Sequence, residues 1–374
     1  DKLWFDCMNG DSRETGKLTP EGKPDPSVFS TDYNREGIRV GTAICVVVRK
    51  DKREKAPAVR FRQFWGVAKR QDLLASLESK DVDAAYSFRP EEVSQEYRSW
   101  PRVPDLCDKS QYLGLNENRG GGLQEIDRER IVGRMRTYLD IDSSWQQYQA
   151  TETDLTHGAA GFEPESVRNK VRLSEPFSED RIRRYLRRPF DLVWAYISDV
   201  SPLWNRSRPE LRNQLTIGQK CLITRPGCPA SPEGVPFFIT TLEGEQDSIR
   251  GHAYYFPTLL VPTGKGKGKA GKQQGAMFKA APKANLSAAA RAYLAGLGVE
   301  DPDASADAAG QVWLHALAVG YSPAYLAENA DGIRRDWPRI PLPGARKALD
   351  ASAKLGQQVA ALLDTEADVR DVTA

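Results

Sequence analysis

At 374 residues the chain is long enough for two or three domains, each with its own core. Its hydrophobic content of 40% and charged content of 28% are ordinary for a soluble protein, and no run of 18 apolar residues offers a helical membrane span. The formal charge of +2 is near neutral, so affinity for nucleic acid has to come from local basic patches rather than from the total.

Residues 1–60 hold two predicted strands around a long polar loop. Leu3 to Met8 is short and aromatic. Thr42 to Val48 is a continuous β-branched run, the pattern of a strand covered on both faces. Between them, Asn9-Gly10-Asp11-Ser12 marks a turn, and Glu21 to Pro26 is irregular. Two strands do not build a stable domain, and the chain opens on Asp1 without a methionine. The expectation is a fragment whose remaining strands lie upstream.

Residues 61–165 read as a mainly helical connector. Gln71 to Ser79 is a short amphipathic helix, and Trp100 to Pro104 is extended. The loop Gly114 to Gly122 leads into a helix over Asp127–Asp140, with Ile131, Met135 and Leu139 on one face and Asp127 as cap. Arg119 in that loop either reaches a phosphate or base edge or belongs to a solvated connector.

Residues 166–285 read as β-rich, with strands at Leu192–Ile197, Gln219–Thr224, Val235–Thr241 and His252–Leu260. Arg181, Arg183, Arg184, Arg187 and Arg188 crowd one segment, and they repel one another unless an anion or acidic neighbours offset them. From Ser248 to Val299 there is no acidic residue, while Lys265, Lys267, Lys269 and Lys272 alternate with small residues. Such a one-signed run suits phosphate contact with counterion release, or equally a solvated loop.

Residues 286–374 are helical. Asn285 or Ser287 caps a helix over Ala288–Leu297. Val312, Trp313, Ala316, Leu317 and Val319 give an apolar helical face that stops at Gly320, and Ser322-Pro323 restarts a helix. Trp337 to Pro343 is too rich in proline to be helical. Arg346–Leu363 closes the chain, with Ala348, Ser352, Leu355, Val359 and Leu362 as a core-packing stripe.

No catalytic constellation is evident. His157, His252 and His315 are far apart, none in metal-ligand spacing, and His315 beside Trp313 reads as a satisfied semi-buried histidine. Ser322 reads as a helix cap, since no G-x-S-x-G elbow surrounds it. The five cysteines lack C-x-x-C spacing, which points to reduced thiols, a cytoplasmic setting and no zinc site.

Two stretches carry a resemblance. WFDCMNGDSRETGKLTPEGKPDPSVF, followed by REGIRVGTAICVVVRK, resembles the end of the catalytic domain in large N6-adenine DNA methyltransferases, chiefly the type ISP restriction-modification group and the related methylase of DISARM defence systems. Arg188-Pro189-Phe190-Asp191 before an aromatic strand, then Arg208-Pro209-Glu210, then Leu222-Ile223-Thr224-Arg225, is similar to that group's specificity domain. The resemblance implies a mixed α/β and α+β chain. Terminal strands of a Rossmann-like methyltransferase sheet come first, then a β-rich target-recognition domain, then helical support over 286–374. Neither the Asn-Pro-Pro-Tyr catalytic motif nor an S-adenosylmethionine loop occurs here, so the chain itself holds no cofactor. S-adenosylmethionine is implied only for the full-length enzyme.

The partner the resemblance implies is double-stranded DNA, alongside an N-terminal methyltransferase portion, helicase or nuclease parts, or defence-system subunits; no membrane partner is expected. Candidate DNA contacts are Arg187, Arg188, Arg206, Arg208, Arg225, the four lysines 265, 267, 269 and 272, and Arg119. Arg188 and Asp191 alternatively lock a strand entry as a pair. The alternative function is a stand-alone DNA-binding specificity subunit that recruits a separate enzyme.

Overall fold

The computed structural model describes residues 2–13, 15–49, 51–52, 58–78, 86–88, 93–108, 111–227, 234–250, 252–262, 281–299, 301–364 and 366. They fall into two compact units, residues 1–94 and residues 95–228 with 234–374. The division after Ser94 lies well beyond the boundary drawn at residue 60 from sequence.

In the first unit, β1 (Lys2–Asn9) pairs antiparallel with β2 (Thr42–Val48) and parallel with β3 (Ala58–Gln63). Helix α1 (Lys69–Ser76) and β4 (Ser87–Phe88) follow, and the sheet order is β2-β1-β3-β4. Asp6 and Arg62 face each other across the β1–β3 register as a buried ion pair. The Arg62 guanidinium also lies over the rings of Phe64 and Tyr86. After Thr42 every residue of β2 is exposed, Val47 to 64%. Its apolar run was read as a strand covered on both faces with the rest of its sheet upstream; here β2 is an edge strand, and among the described residues no layer covers it.

The loop between β1 and β2 is organised by Asp25, whose side chain is wholly buried. One carboxylate oxygen accepts the Gly10 amide at 2.7 Å, and the other accepts the Gly66 amide and the Lys69 ammonium, each at 2.7 Å. Gly10 has φ +77°, and a Cβ there would sit 2.9 Å from the Ser27 Cα. Only glycine suits that position.

The second unit opens with α2 (Gln95–Ser99) and a single turn, α3 (Val103–Leu106). The extended run expected over Trp100–Pro104 therefore ends at Arg102, where the Asp105 carboxylate accepts both the Arg102 amide and its guanidinium. β5 (Tyr112–Leu113), β6 (Gln124–Glu125), α4 (Arg128–Leu139), α5 (Trp145–Gln149) and α6 (Pro164–Ser174) follow. α4 forms as read: Asp127 caps the Glu129 and Arg130 amides, and Ile131, Met135 and Leu139 are buried.

Next come the hairpin strands β7 (Ile182–Arg188) and β8 (Asp191–Tyr196), then α7 (Pro209–Leu215), β9 (Cys221–Thr224), β10 (Phe238–Thr240), β11 (Tyr254–Pro257), β12 (Leu259–Leu260) and β13 (Lys283–Ala284). They form an antiparallel sheet ordered β10-β9-β11-β5, a sheet ordered β6-β8-β7, and the pair β12-β13. The two larger sheets share one core, in which Tyr185, Val193, Tyr196, Leu222, Ile223, Tyr255 and Phe256 are fully or almost fully buried.

α8 (Ala288–Gly296), α9 (Ala306–Gly320), α10 (Pro323–Glu328), α11 (Ala330–Arg335) and α12 (Arg346–Leu362) complete the unit. Ser287 and Ser322 cap α8 and α10. The proline-rich exit packs as a brace against the sheet and the α2–α3 segment. Trp337 meets Tyr254 and Phe256 edge-on, and the Arg339 guanidinium donates to the carbonyls of Arg98 and Trp100 at 2.9 and 2.8 Å. His315 is buried in α9 with both ring nitrogens bonded, Nδ1 to Ser352 Oγ at 2.7 Å and Nε2 to the Pro341 carbonyl at 2.8 Å. A carbonyl only accepts, so Nε2 carries the proton. Burial holds the ring below its ordinary pKa and keeps it neutral.

The stripe expected on α12 is corrected by one helical position. Leu355 and Leu362 are 58% and 79% exposed, while Leu349, Ala353, Gly356 and Ala360 face α9. The small residues let the two helix backbones approach closely, so the bulky positions are turned outward.

Candidate nucleic-acid interface

The β7–β8 hairpin carries most of the basic cluster. Ile182, Tyr185 and Leu186 turn inward, and Arg183, Arg187 and Arg188 turn out. A register shift between Leu186 and Arg188 marks a bulge at Arg187, which places two arginines in succession on the exposed side. Arg188 pairs with Asp191 across the turn Pro189-Phe190. Phe190 has φ +62° and is exposed, in the turn position where glycine is usual after proline.

Most of these guanidinia are neutralised by carboxylates. Arg181 meets Glu175 at 3.0 Å, Arg183 meets Glu243 at 3.6 Å and Arg184 meets Glu366 at 2.7 Å. Arg187 is bonded to Asp191 at 2.7 and 3.2 Å, so the pair that ties this turn uses Arg187 and not Arg188. Arg212 is held by Asp199 and Glu243. Of the repelling cluster read from sequence, acidic neighbours offset all but one member.

The exception is Arg188, which donates only to the carbonyls of Asp247 and Arg187 at 2.7 and 3.1 Å. Exposed Arg206 likewise bonds the Asn205 carbonyl at 2.9 Å and, among the described residues, no carboxylate. Arg208 has the Gln246 amide oxygen at 3.4 Å and Glu210 only at 4.0 Å, and its Nε has no hydrogen-bond partner. A carbonyl satisfies a donor without cancelling its charge. Arg206 thus has no carboxylate partner among the described residues, Arg188 has only the longer-range attraction of Glu245, and Arg208 has Glu210 at 4.0 Å, so these three are the least neutralised arginines of one region. Backbone bridges assemble it: Asn116 with Arg206, Leu115 with Glu245, and Leu186 with Gly244.

Two of the candidates are buried. Arg119 is only 5% exposed, and its guanidinium donates to the carbonyls of Leu203, Pro202 and Asn118 while lying 4.1 Å over the Phe162 ring. It ties the Gly114–Gly122 loop to the segment after β8. Arg225 is 1% exposed just past the end of β9. Lys265, Lys267, Lys269 and Lys272 lie outside the described residues. Among the described residues, no group of three or more His, Cys, Asp or Glu is placed to hold a metal ion, and no helix is long and apolar enough to cross a membrane.

A family model described as the Type ISP C-terminal specificity domain matches residues 109–370. The chain belongs to that family. Its fold is similar to a chain in the cryo-EM structure of the DrdV–DNA complex, with a TM-score of 0.54 at 18% identity over 97% of this chain and 35% of the other. It is also similar to the ATP-dependent Type ISP restriction-modification enzyme LlaBIII bound to DNA, with a TM-score of 0.53 at 12% identity over 96% of this chain and 23% of the other. The chain thus spans about a third or less of those proteins. No relative was found among curated proteins.

Sequence reasoning missed three polar groups in this part of the specificity domain, Asn116, Asn205 and Gln246. Asn205 bonds the Asn116 side-chain oxygen at 2.9 Å, and Gln246 lies beside Arg208. No local signal marks them, because the three segments meet only through long-range bridges.

Beneath them the specificity domain buries Glu117, whose carboxylate accepts the Leu123 amide at 2.6 Å and the Gln124 side chain at 3.1 Å. Burial pushes this carboxyl from its ordinary 4.5 up to about 7, with Glu245 adding to the rise and the Leu123 amide opposing it. The folded state therefore keeps a proton that the unfolded state loses near pH 4.5, and stability falls as pH rises from about 4.5 to about 7. The effect is on the order of 3 kcal/mol at most. Glu117→Gln is expected to flatten that part of the profile in denaturant titrations. A wild-type-minus-variant difference that stays constant from pH 4.5 to 7 would show that the carboxyl is already ionised in the fold.

Proposed function

We propose that this specificity domain binds double-stranded DNA and carries the sequence recognition of an adenine-N6 DNA methyltransferase in a restriction-modification or phage-defence system. The family membership supports the reading, and the observation that carries it is the cluster of Arg188, Arg206 and Arg208, the arginines of this region least offset by carboxylates. A methyltransferase that acts on adenine extrudes the base, so the flanking duplex has to be gripped at phosphates and read at base edges. The first unit is proposed to be the edge of the Rossmann-like catalytic sheet, with S-adenosylmethionine bound by parts of the full-length enzyme outside this chain. On this reading the enzyme works in the cytoplasm, and the chain alone binds DNA without methylating it.

The test is duplex binding against salt. Two phosphate contacts give a logarithmic slope of about −1.8, a loss of roughly tenfold between about 50 and 200 mM salt, and each further contact steepens it by about 0.9. Replacing the lysines at 265, 267, 269 and 272 by alanine should lower the slope if that stretch closes on the backbone. Affinity indifferent to salt would sink the reading. Methyl transfer from labelled S-adenosylmethionine by this chain alone would overturn its division of labour.

A further inference from the structure

Gln246 is held as a preorganised base reader. Its amide nitrogen donates to the Leu115 carbonyl and its carbonyl accepts the Ala253 amide, both at 2.6 Å, so the backbone is tied on both sides. The side chain is fixed as well. Arg208 Nη2 lies 3.4 Å from Gln246 Oε1, and His252 Nδ1 lies 2.6 Å from Gln246 Nε2. A guanidinium only donates, which puts the amide oxygen toward Arg208; in the neutral ring His252 Nδ1 then accepts from Nε2, with the Asp247 carboxylate oxygen 3.4 Å from the same nitrogen. One lone pair on Oε1 and one hydrogen on Nε2 then remain unused. An adjacent acceptor and donor form the pair that matches N6 and N7 of adenine in the major groove.

Both clamping residues depart from ordinary backbone. Arg208 has φ +48° and His252 has φ +70°, neither is glycine, and Arg208 also precedes Pro209, which disfavours helical conformations. Strain of this kind concentrates where side-chain placement matters to function. The surrounding charge is right for a duplex, since Arg206 carries no carboxylate partner among the described residues and Arg188 only the longer-range attraction of Glu245, which leaves both able to meet phosphates.

We infer that Gln246, positioned by Arg208 and His252, reads an adenine edge in double-stranded DNA, with Arg188 and Arg206 as phosphate anchors. The inference rests on the proposed DNA-binding function. The experiment is selection of bound duplexes from a randomised pool by the full chain, followed by sequencing and a melting curve for each variant. Wild type is expected to enrich a motif containing at least one fixed adenine. Gln246→Ala should relax the preference at that one position by at least about tenfold while the rest of the motif and the salt slope persist. Gln246→Glu replaces the unused donor by an acceptor, so the preference should move from adenine toward cytosine. That change of specificity cannot arise from misfolding. Arg206→Ala should weaken all duplexes alike and leave the motif intact. A wild-type motif that both Gln246 variants leave unchanged overturns this inference and spares the DNA-binding reading. A wild-type chain that binds no duplex overturns both.

Discussion

Gly356→Ala is expected to lower the stability of the chain by about 2 kcal/mol, whereas Gly133→Ala is expected to raise it by about 1 kcal/mol. Both glycines lie inside helices, where exchange to alanine ordinarily gains about 1 kcal/mol of helix propensity. Gly133 is exposed in α4, and a Cβ there meets nothing within 4 Å, so the gain stands undiminished. Gly356 faces α9, where a Cβ would clash with the Leu314 carbonyl oxygen and lie 2.6 Å from its carbon. The obstacle is helical backbone, which cannot rotate away as a side chain can. Overpacking of about 3 kcal/mol therefore outweighs the propensity gain. Chemical denaturation of the two variants side by side decides the matter, and equal signs would mean that α9 and α12 do not approach as closely as described. His315 and Ser352 give a second readout, because a displaced α12 breaks their bond and exposes the ring.

That same interface shows what the sequence could not reveal. A stripe drawn through the largest apolar residues of α12 chose Leu355 and Leu362, and both lie outside. Hydrophobic periodicity assumes that the buried face is the bulky one, and here a close helix crossing inverts the rule. β2 is a different case: its apolar run was recognised as a strand, but burial depends on the layer that covers it, and no such layer lies among the described residues. Local chemistry was legible. The Asp127, Ser287 and Ser322 caps and the proline-bounded exit all follow from side chains acting within a few residues. The site was legible only as arginine-rich. Which arginines keep their charge depends on carboxylates such as Glu175, Glu243 and Glu366, some of them far away in the chain. Arg119 and Arg225 resemble their exposed counterparts in sequence, and only burial separates them.

Asp25→Ala is expected to destabilise the first unit by about 3–5 kcal/mol, the range for removing one partner of a buried ion pair. The local sequence around α1 already points to such a dependence. Lysine at a helix N-terminus opposes the helix dipole, and the cap residue Ala68 contributes no side-chain bond, so α1 starts against two local preferences. The buried Asp25 carboxylate resolves both, because it pairs Lys69 and ties the start of α1 to Gly66 and Gly10. Its loss leaves an ammonium and two amides without that acceptor. Lys69→Met removes the cation but leaves the carboxylate its two amide donors, so it should cost less than Asp25→Ala. The double variant should fall short of the sum of the two, since one charge is no longer stranded when both are gone. Amide hydrogen exchange at Gly10 and Gly66 supplies a local readout: exchange should quicken strongly in Asp25→Ala and mildly in Lys69→Met. Additive losses in the cycle, with both amides still protected, would show that the carboxylate and ammonium stabilise the loop independently and that the hub assignment is wrong.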